Sequence, residues 1–501
     1  MMYLRPKKLD IFGDKTSLEV YINKETADKS GIKEGDLIDL SFATLETGAI
    51  AVITDTLVEI NEVGLPASLW TMHPVSSEEL VALDVQGQAK SIHYIRKKIL
   101  GQALNYEEIR EIMYDIAKRR LSPVEMTYFA SASYSPGFSE EEMHYLTKGM
   151  AETGTIMDFK KMGEFVVDKH SIGGLPSKGI TPVLVSIMAS MGFIIPNTST
   201  RAITSPAGTS DILETMMPVG LTEQEIYDVV KKTNGCLVWG GGLDLAPADD
   251  ILIQIERPLH VESYDKFIVS ITAKKIATGV THLILDIPYG TGTKVPESDV
   301  PVVAGAFEKL CAKFGIKVFV YKRTSRGVDG NGIGPILEAR DVLWILERDS
   351  RRPLGLENLA IDMAARLIEL TGKYNYEEAF KQIREHLESK KALRKFWEIA
   401  RAQGAKVEMK GDDMIPGTYS YDIPASKSGT IERYDPHAIV VMTKALGAPY
   451  VKKAGIFIHH QPGDTVKAGD IVATLHADSQ NRLILAKQSL EENKDKWMTI
   501  G

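Results

Sequence analysis

Between Asp168 and Glu214 the chain reads D-K-H-S-I-G-G-L-P-S-K-G, then an apolar run, then N-T-S-T-R-A-I-T-S-P-A-G-T-S-D-I-L-E. Two polar, glycine-bearing loops bracket one apolar helical segment. Lys169, His170, Ser171, Gly173, Gly174, Ser199, Arg201, Ser205, Gly208 and Thr209 bring positive charge, hydroxyls and backbone N–H groups, and no carboxylate falls between Ser171 and Ser210. Donors at helix N-termini, with glycines that let the backbone come close, make an anion site. The stretch predicts a site for phosphate or a phosphorylated ligand.

The flanking pattern predicts a layered domain around it. From about 160 to 400, strand-like runs such as Leu283-Ile284-Leu285-Asp286-Ile287 and Val318-Phe319-Val320-Tyr321 alternate with helical segments at Pro301–Phe314, Gly334–Glu347, Gly355–Thr371 and Tyr376–Lys390. Such alternation argues for helices on a mixed or parallel sheet. Residues 1–85 read as β: Leu18, Val20 and Ile22 alternate with polar neighbours, as do Ile38, Leu40 and Phe42, and Gly48 to Leu57 forms another strand. From 86 to 160 the pattern is helical. Ile109, Ile112, Met113 and Ile116 share one face, Ser122-Pro123 and Ser139 start helices, and Gly154 stops one. Met157 to Gly163 links this region to the next, and 405–417 is a polar linker. The predicted fold class is multidomain α/β: a β-rich N-terminal domain (1–85), a small α-helical domain (86–160), a large α/β domain with a mixed or parallel sheet (161–404), and a C-terminal α+β domain rich in short strands (418–501).

Bulk properties narrow the function classes. A net charge of −8 argues against a general nucleic-acid or acidic-membrane binder. No apolar run approaches the roughly 18 residues of a membrane span, and the polar N-terminus does not fit a secretory signal. Cys236 and Cys311 are the only cysteines, which fits a reducing cytoplasm and leaves open one bridge between them. No metal-ligand spacing occurs.

The order Lys169-His170-Ser171-x-Gly173-Gly174, then Ser199-x-Arg201 and Gly208-Thr209-x-Asp211-x-Leu213-Glu214, resembles the paired signature of the thymidine and pyrimidine nucleoside phosphorylases. Ser270-Ile271-x-x-Lys274-Lys275 continues it. Within that family the chain most resembles the archaeal-type AMP phosphorylases, through R-A-I-T-S-P-A-G-T (Arg201 to Thr209), D-L-A-P-A-D-D (Asp244 to Asp250) and the added N-terminal domain.

The resemblance implies phosphorolysis of nucleoside 5′-monophosphates: AMP and phosphate give adenine and ribose 1,5-bisphosphate, with CMP and UMP as further candidates. It implies an active-site cleft shared by the 161–404 domain and the helical domain. Lys169, Ser171 and Ser199 match phosphate-binding positions. Thr209 matches a phosphate position of the thymidine phosphorylase pattern and a nucleotide contact in the AMP phosphorylases. Gly174, Thr200, Arg201, Ala202, Ile203, Thr204, Ser205, Ser270 and Lys294 match nucleotide contacts. As residues alone, Ser171, Ser199 and Thr209 serve equally as helix caps, and the division of donors between inorganic phosphate and the 5′-phosphate stays open. His170, with an ordinary pKa of about 6.5, fits a donor to substrate or base. The resemblance further implies a homodimer or higher homo-oligomer, with phosphate as co-substrate, no cofactor, and no nucleic-acid or membrane partner.

Two departures matter. Where the AMP phosphorylases carry an Asp general acid, this chain has Glu262, eight residues before Ser270; Asp265 is a fallback. Its ordinary pKa of about 4.3 needs raising by burial to protonate a purine. Where pyrimidine phosphorylases place an Arg in an L-R-D context, this chain has Ala248-Asp249-Asp250. That loses a bidentate donor for carbonyl oxygens and disfavours the pyrimidine nucleoside rival. An anthranilate phosphoribosyltransferase-like reading lacks its G-T-G-G-D loop here. A non-enzymatic carrier is suggested by Gly463 to Asp470, which resembles a biotinyl or lipoyl carrier turn, but the methionine-flanked lysine is missing.

Overall fold

The computed structural model describes all residues except 12–17, 43–44, 73–78, 86–88, 203–204, 257–262, 291 and 495. By contacts the chain forms two compact units, residues 1–156 with 245–277, and residues 157–244 with 278–501. This differs from the linear division of the sequence. Residues 245–277 were expected in the 161–404 domain, but they pack with the helical segment.

In the first unit, β1 (Met2–Leu9), β2 (Glu19–Asn23), β3 (Leu37–Phe42), β4 (Leu45–Thr54), β5 (Glu62–Pro66) and β6 (Val81–Val85) close into a barrel in the order β1-β5-β2-β4-β3-β6. The alternation seen in sequence fills it: Val20, Ile22, Ile38, Leu40, Ala49 and Ala51 are buried. Asp39 of β3 takes Arg120, at 3.2 Å from Nε to Oδ1, and the Gly48 N–H donates to the Lys118 carbonyl. The barrel is thereby tied to the helices that follow it. Those helices start at reciprocal capping boxes, Asn105 with Glu108, Ser122 with Glu125 and Ser139 with Glu142, each cap worth about 1 kcal/mol. The helices Pro247–Glu256 and Tyr264–Ala277 lay Ala248, Leu252, Phe267, Ile268 and Ile271 inward. They pack on the helices Tyr106–Ala117, Pro123–Ser131 and Glu140–Glu152. That apolar face is why the segment belongs to this unit.

The second unit is built on parallel strands. β7 (Val167–Ser171), β10 (His282–Gly290) and β11 (Lys317–Ser325) pair in the order β11-β10-β7. β8 (Ile195–Ser199) and β9 (Gly235–Trp239) pair in parallel beside them, joined to β7 through a bridge from Val166 to Ile194. The expected helices are present at Val300–Lys313, Pro335–Glu347, Leu354–Thr371 and Tyr376–Glu388. The helix Ile180–Ser190 is buried on nearly every side, which its largely apolar sequence favours.

In the C-terminal part, short strands form as expected, but the helices Pro436–Leu446 and Gln480–Glu492 also pack there. Strands and helices together make this part α+β, as expected, although the sequence reading located neither helix. The loop 330–334 also holds more than a turn: Gly332–Ile333 pairs antiparallel with Phe457 and Ile456 and so ties the α/β layer to the tail. Cys236 and Cys311 are both buried and unbridged. Among the described residues, no helix is long and apolar enough to cross a membrane.

Candidate active site

Parallel strands present the loops at their carboxyl ends on one side, where ligands of such sheets sit. The loops after β7, β8 and β10 are the ones the sequence marked for anions.

Alternation along β7 puts Val167, Lys169 and Ser171 on one face and Asp168 and His170 on the other. Lys169 is buried, and its Nζ lies 3.4 Å from the Thr181 hydroxyl, in the first turn of the Ile180–Ser190 helix. No carboxylate lies within ion-pair distance of it among the described residues. Burial lowers its pKa to about 8, with Asp286 opposing and Lys178 and Arg323 reinforcing. Ser171 Oγ donates to Asp286 Oδ2 at 2.8 Å across the β7–β10 ladder. Burial raises Asp286, but Arg323 and Lys169 outweigh it and hold this carboxyl below its ordinary range. Arg323 binds both Asp286 (2.8 Å) and Asp329 (2.8 Å), so the two acids share one cation behind the site. His170 is half-buried at the strand end.

The glycine turn after β7 bends through left-handed backbone at Gly173 (φ 93°) and Gly174 (φ 94°). A Cβ on Gly174 would stand 3.1 Å from the Lys294 N and 3.4 Å from the Thr293 Cα. Only glycine lets this turn and the loop after β10 approach so closely. Lys294 itself is exposed.

The loop after β8 is organised differently. Ser199 Oγ lies 2.8 Å from Ser210 Oγ. Arg201 stacks 4.1 Å over Trp239 and hydrogen-bonds Glu214, 2.9 Å from Nε. Asp211 Oδ2 accepts the N–H groups of Ala202 (2.7 Å) and Gly208 (2.9 Å). Sequence reasoning counted these donors as open to an anion; here they are occupied by a carboxylate just downstream. Ser205 Oγ donates to the Ala207 carbonyl, Thr200 is exposed, and Thr209 opens the short helix Thr209–Leu213. Ile203 and Thr204 lie outside the described residues.

In the first unit, Ser270 Oγ donates to the buried Asp249 Oδ2 at 2.6 Å, and Lys274 Nζ reaches Asp249 (2.9 Å) and Asp250 (3.2 Å). Burial raises Asp249, but Lys274 and Lys266 hold it below the ordinary range. The fallback acid Asp265 accepts the Phe138 N–H at 3.2 Å, and burial pushes its pKa up. Glu262 lies outside the described residues.

Sequence reasoning missed the supporting charges. Asp286 was visible as a lone carboxylate inside the run Leu283–Ile287, an unusual place for an acid. Arg323, Asp329, Lys178 and Thr181 carried no comparable signal.

Three stretches of the chain match known families. Residues 92–154 match the helical bundle domain of the glycosyl transferase family, 163–295 its a/b domain, and 430–495 the pyrimidine nucleoside phosphorylase C-terminal domain. The chain is 37% identical over 498 residues to the AMP phosphorylase of Pyrococcus furiosus, covering 99% of this chain and 98% of that one. It is 38% identical over 492 residues to the AMP phosphorylase of Methanococcus maripaludis strain C6, covering 97% and 95%. A solved anthranilate phosphoribosyltransferase from Thermus thermophilus shares the fold at TM-score 0.52 and 16% identity, covering 62% of this chain and 98% of that one.

Proposed function

This chain belongs to the AMP phosphorylase family, and from that premise we propose that it is a pentosyltransferase converting AMP and phosphate to adenine and ribose 1,5-bisphosphate, with CMP and UMP as further substrates. The observation that carries this reading is Lys169, a buried cation with no carboxylate partner among the described residues, beside the Ser171 and Thr181 hydroxyls at the end of β7. A phosphate dianion supplies the charge that Lys169 lacks.

In the reaction, an oxygen of phosphate forms a bond to C1′ as the bond from C1′ to the base nitrogen breaks. The electron pair goes to the base, and a proton completes adenine. Lys169, Ser171 and Ser199 hold the attacking phosphate against charge repulsion. Gly174, the 200–205 loop, Thr209, Ser270 and Lys294 hold the nucleotide. His170 donates a hydrogen bond to it, and Glu262 supplies the proton. General acid catalysis contributes about 10²–10⁴-fold, so Glu262→Gln lowers kcat by that order with KM for AMP little changed. A near-normal kcat moves the role to Asp265 or His170. The chemistry calls for no cofactor or metal.

The test is incubation with phosphate and a panel of nucleosides and nucleotides, scoring free base. AMP is cleaved and adenosine far more slowly. Equal turnover of the two removes the nucleotide reading, and base release without phosphate removes phosphorolysis. We place the enzyme in the cytoplasm, which the unbridged Cys236 and Cys311 support. We assign it a homodimer on the family resemblance; a monomer in sedimentation removes that assignment.

A further inference from the structure

We infer that Lys178 is a specificity-determining ligand of the nucleotide's 5′-phosphate, acting from the glycine turn beside Lys294; this rests on the reading of AMP as substrate.

Lys178 follows Ser177, a non-glycine residue held at φ 75°, in the left-handed region where side chains are strained. That turn throws the lysine back over the loop. A Cβ built on Gly173 would lie 3.9 Å from Lys178 Nζ, so the amine lies over the bare face of the glycine turn. A Cβ on the neighbouring Gly174 would stand 3.1 Å from the Lys294 backbone N. One short turn therefore has an amine against one glycine and the Lys294 loop against the next.

Lys178 is half-buried, and among the described residues its amine makes no hydrogen bond and no ion pair. Acids are close, but each is engaged. Asp286 and Asp329 are held by Arg323. Glu338 accepts the backbone N–H groups of Lys178 and Gly334. Burial lowers the Lys178 pKa despite the pull of Glu338, Asp286 and Asp329, and Lys294 lowers it further. An unpaired ammonium partly withdrawn from water carries a cost, and the Lys294 charge nearby adds to it. A dianion between Lys178 and Lys294 removes both penalties.

Two phosphate groups must be held during the proposed reaction, one attacking and one on the ribose. Lys169 serves the first from the strand end, with Ser171 and Thr181. Lys178 lies at the turn next to Gly174 and Lys294, both assigned to the nucleotide. The charge needed for the second phosphate is thus supplied at a separate point of the same loop.

The experiment compares wild type with Lys178→Met and Lys178→Arg. AMP is varied at saturating phosphate, then phosphate at saturating AMP, and adenosine is run in parallel. Lys178→Met is expected to raise KM for AMP about 10–100-fold, to leave KM for phosphate within about twofold, and to reduce the preference for AMP over adenosine. Lys178→Arg restores most of the affinity. The thermal midpoint of Lys178→Met stays level or rises, because the lost amine had no partner among the described residues. An unchanged KM for AMP overturns the inference, as does a shift confined to phosphate or a lowered midpoint with equal losses on AMP and adenosine. Calorimetric AMP binding to wild type and Lys178→Met, without phosphate, keeps the two readings apart. If wild type releases no base, the proposed reaction fails; if it binds AMP no better than Lys178→Met, the assignment of Lys178 fails.

Discussion

The loops after β7 and β8 both carry cations and glycines, yet they use charge in opposite ways. After β8, Arg201 is neutralised by Glu214, and Asp211 and Glu214 both take Lys452, at 3.2 and 2.9 Å. Two cations meet two carboxylates, and the loop is fastened to the C-terminal part of the chain. After β7, Lys169 and Lys178 face no carboxylate within ion-pair distance among the described residues, while the acids behind them are tied to Arg323. Paired charge holds a loop in place; unpaired buried charge is destabilising until a ligand arrives. The contrast separates architecture from binding within one motif.

The largest expected effect tests the shield behind the β7 loop. Asp286→Asn removes the buried charged partner of Arg323 while leaving one oxygen that can still accept from Ser171. Breaking a buried pair from one side costs about 3–5 kcal/mol. Because Asp329 still holds Arg323, the lower end is expected. Urea unfolding checks this, and an unchanged midpoint means Asp286 is not structural support. Lys169→Met acts oppositely. It should lower kcat/KM for phosphate by an amount equivalent to about 2–4 kcal/mol without lowering the denaturation midpoint. A large loss of stability with modest loss of rate would place Lys169 in the architecture.

A pH profile sharpens the same point. Lys169 titrates at about 8 in the folded chain, among Asp286, Lys178, Arg323 and Asp329. Above that pH the free enzyme loses this cation, so kcat/KM for phosphate should fall, by roughly tenfold one unit higher. Lys169→Arg keeps its charge and should move the limb out of range; persistence of the limb assigns it to another group. The stability sign is the reverse. Between about 8 and the unfolded lysine value near 10.4, the unfolded chain binds more protons. This group therefore makes the folded state more stable as pH rises through that window.

Much of this site is readable in sequence because its signals are local. The glycine turn, the serines at the strand ends and the capping boxes at Asn105, Ser122 and Ser139 depend on near neighbours. The strands and helices of the α/β layer follow from apolar spacing. What escaped is long-range. Lys452 reaches Glu214 across 238 residues, and Asp286 meets Ser171 across 115. No spacing rule couples such positions. The placement of 245–277 was hidden for the same reason: an apolar helix face in sequence does not say which partner covers it. The helices Pro436–Leu446 and Gln480–Glu492 were lost because the turns and short strands around them dominate the pattern.

The smallest expected effect concerns the β8 loop. Glu214 is one-fifth exposed and accepts from Arg201 and Lys452, which are themselves 48% and 35% exposed. Burial raises its pKa, but Lys452 and Arg201 together carry it below the ordinary value. Part-exposed pairs of this kind contribute about 0.5–1 kcal/mol. Glu214→Gln should therefore lower the denaturation midpoint only slightly at pH 7, with KM for AMP rising a few-fold as Arg201 loosens over Trp239. Since the folded pKa is the lower one, the contribution is present above about 4.3 and disappears as pH falls through the folded value. The midpoints of wild type and Glu214→Gln should converge in that acidic range. A double-mutant cycle with Lys452→Met isolates the pair. A coupling near zero, with KM for AMP still raised more than about tenfold, would mean that Glu214 belongs to the binding site and not to the frame that holds it, and the contrast between the two loops would be lost.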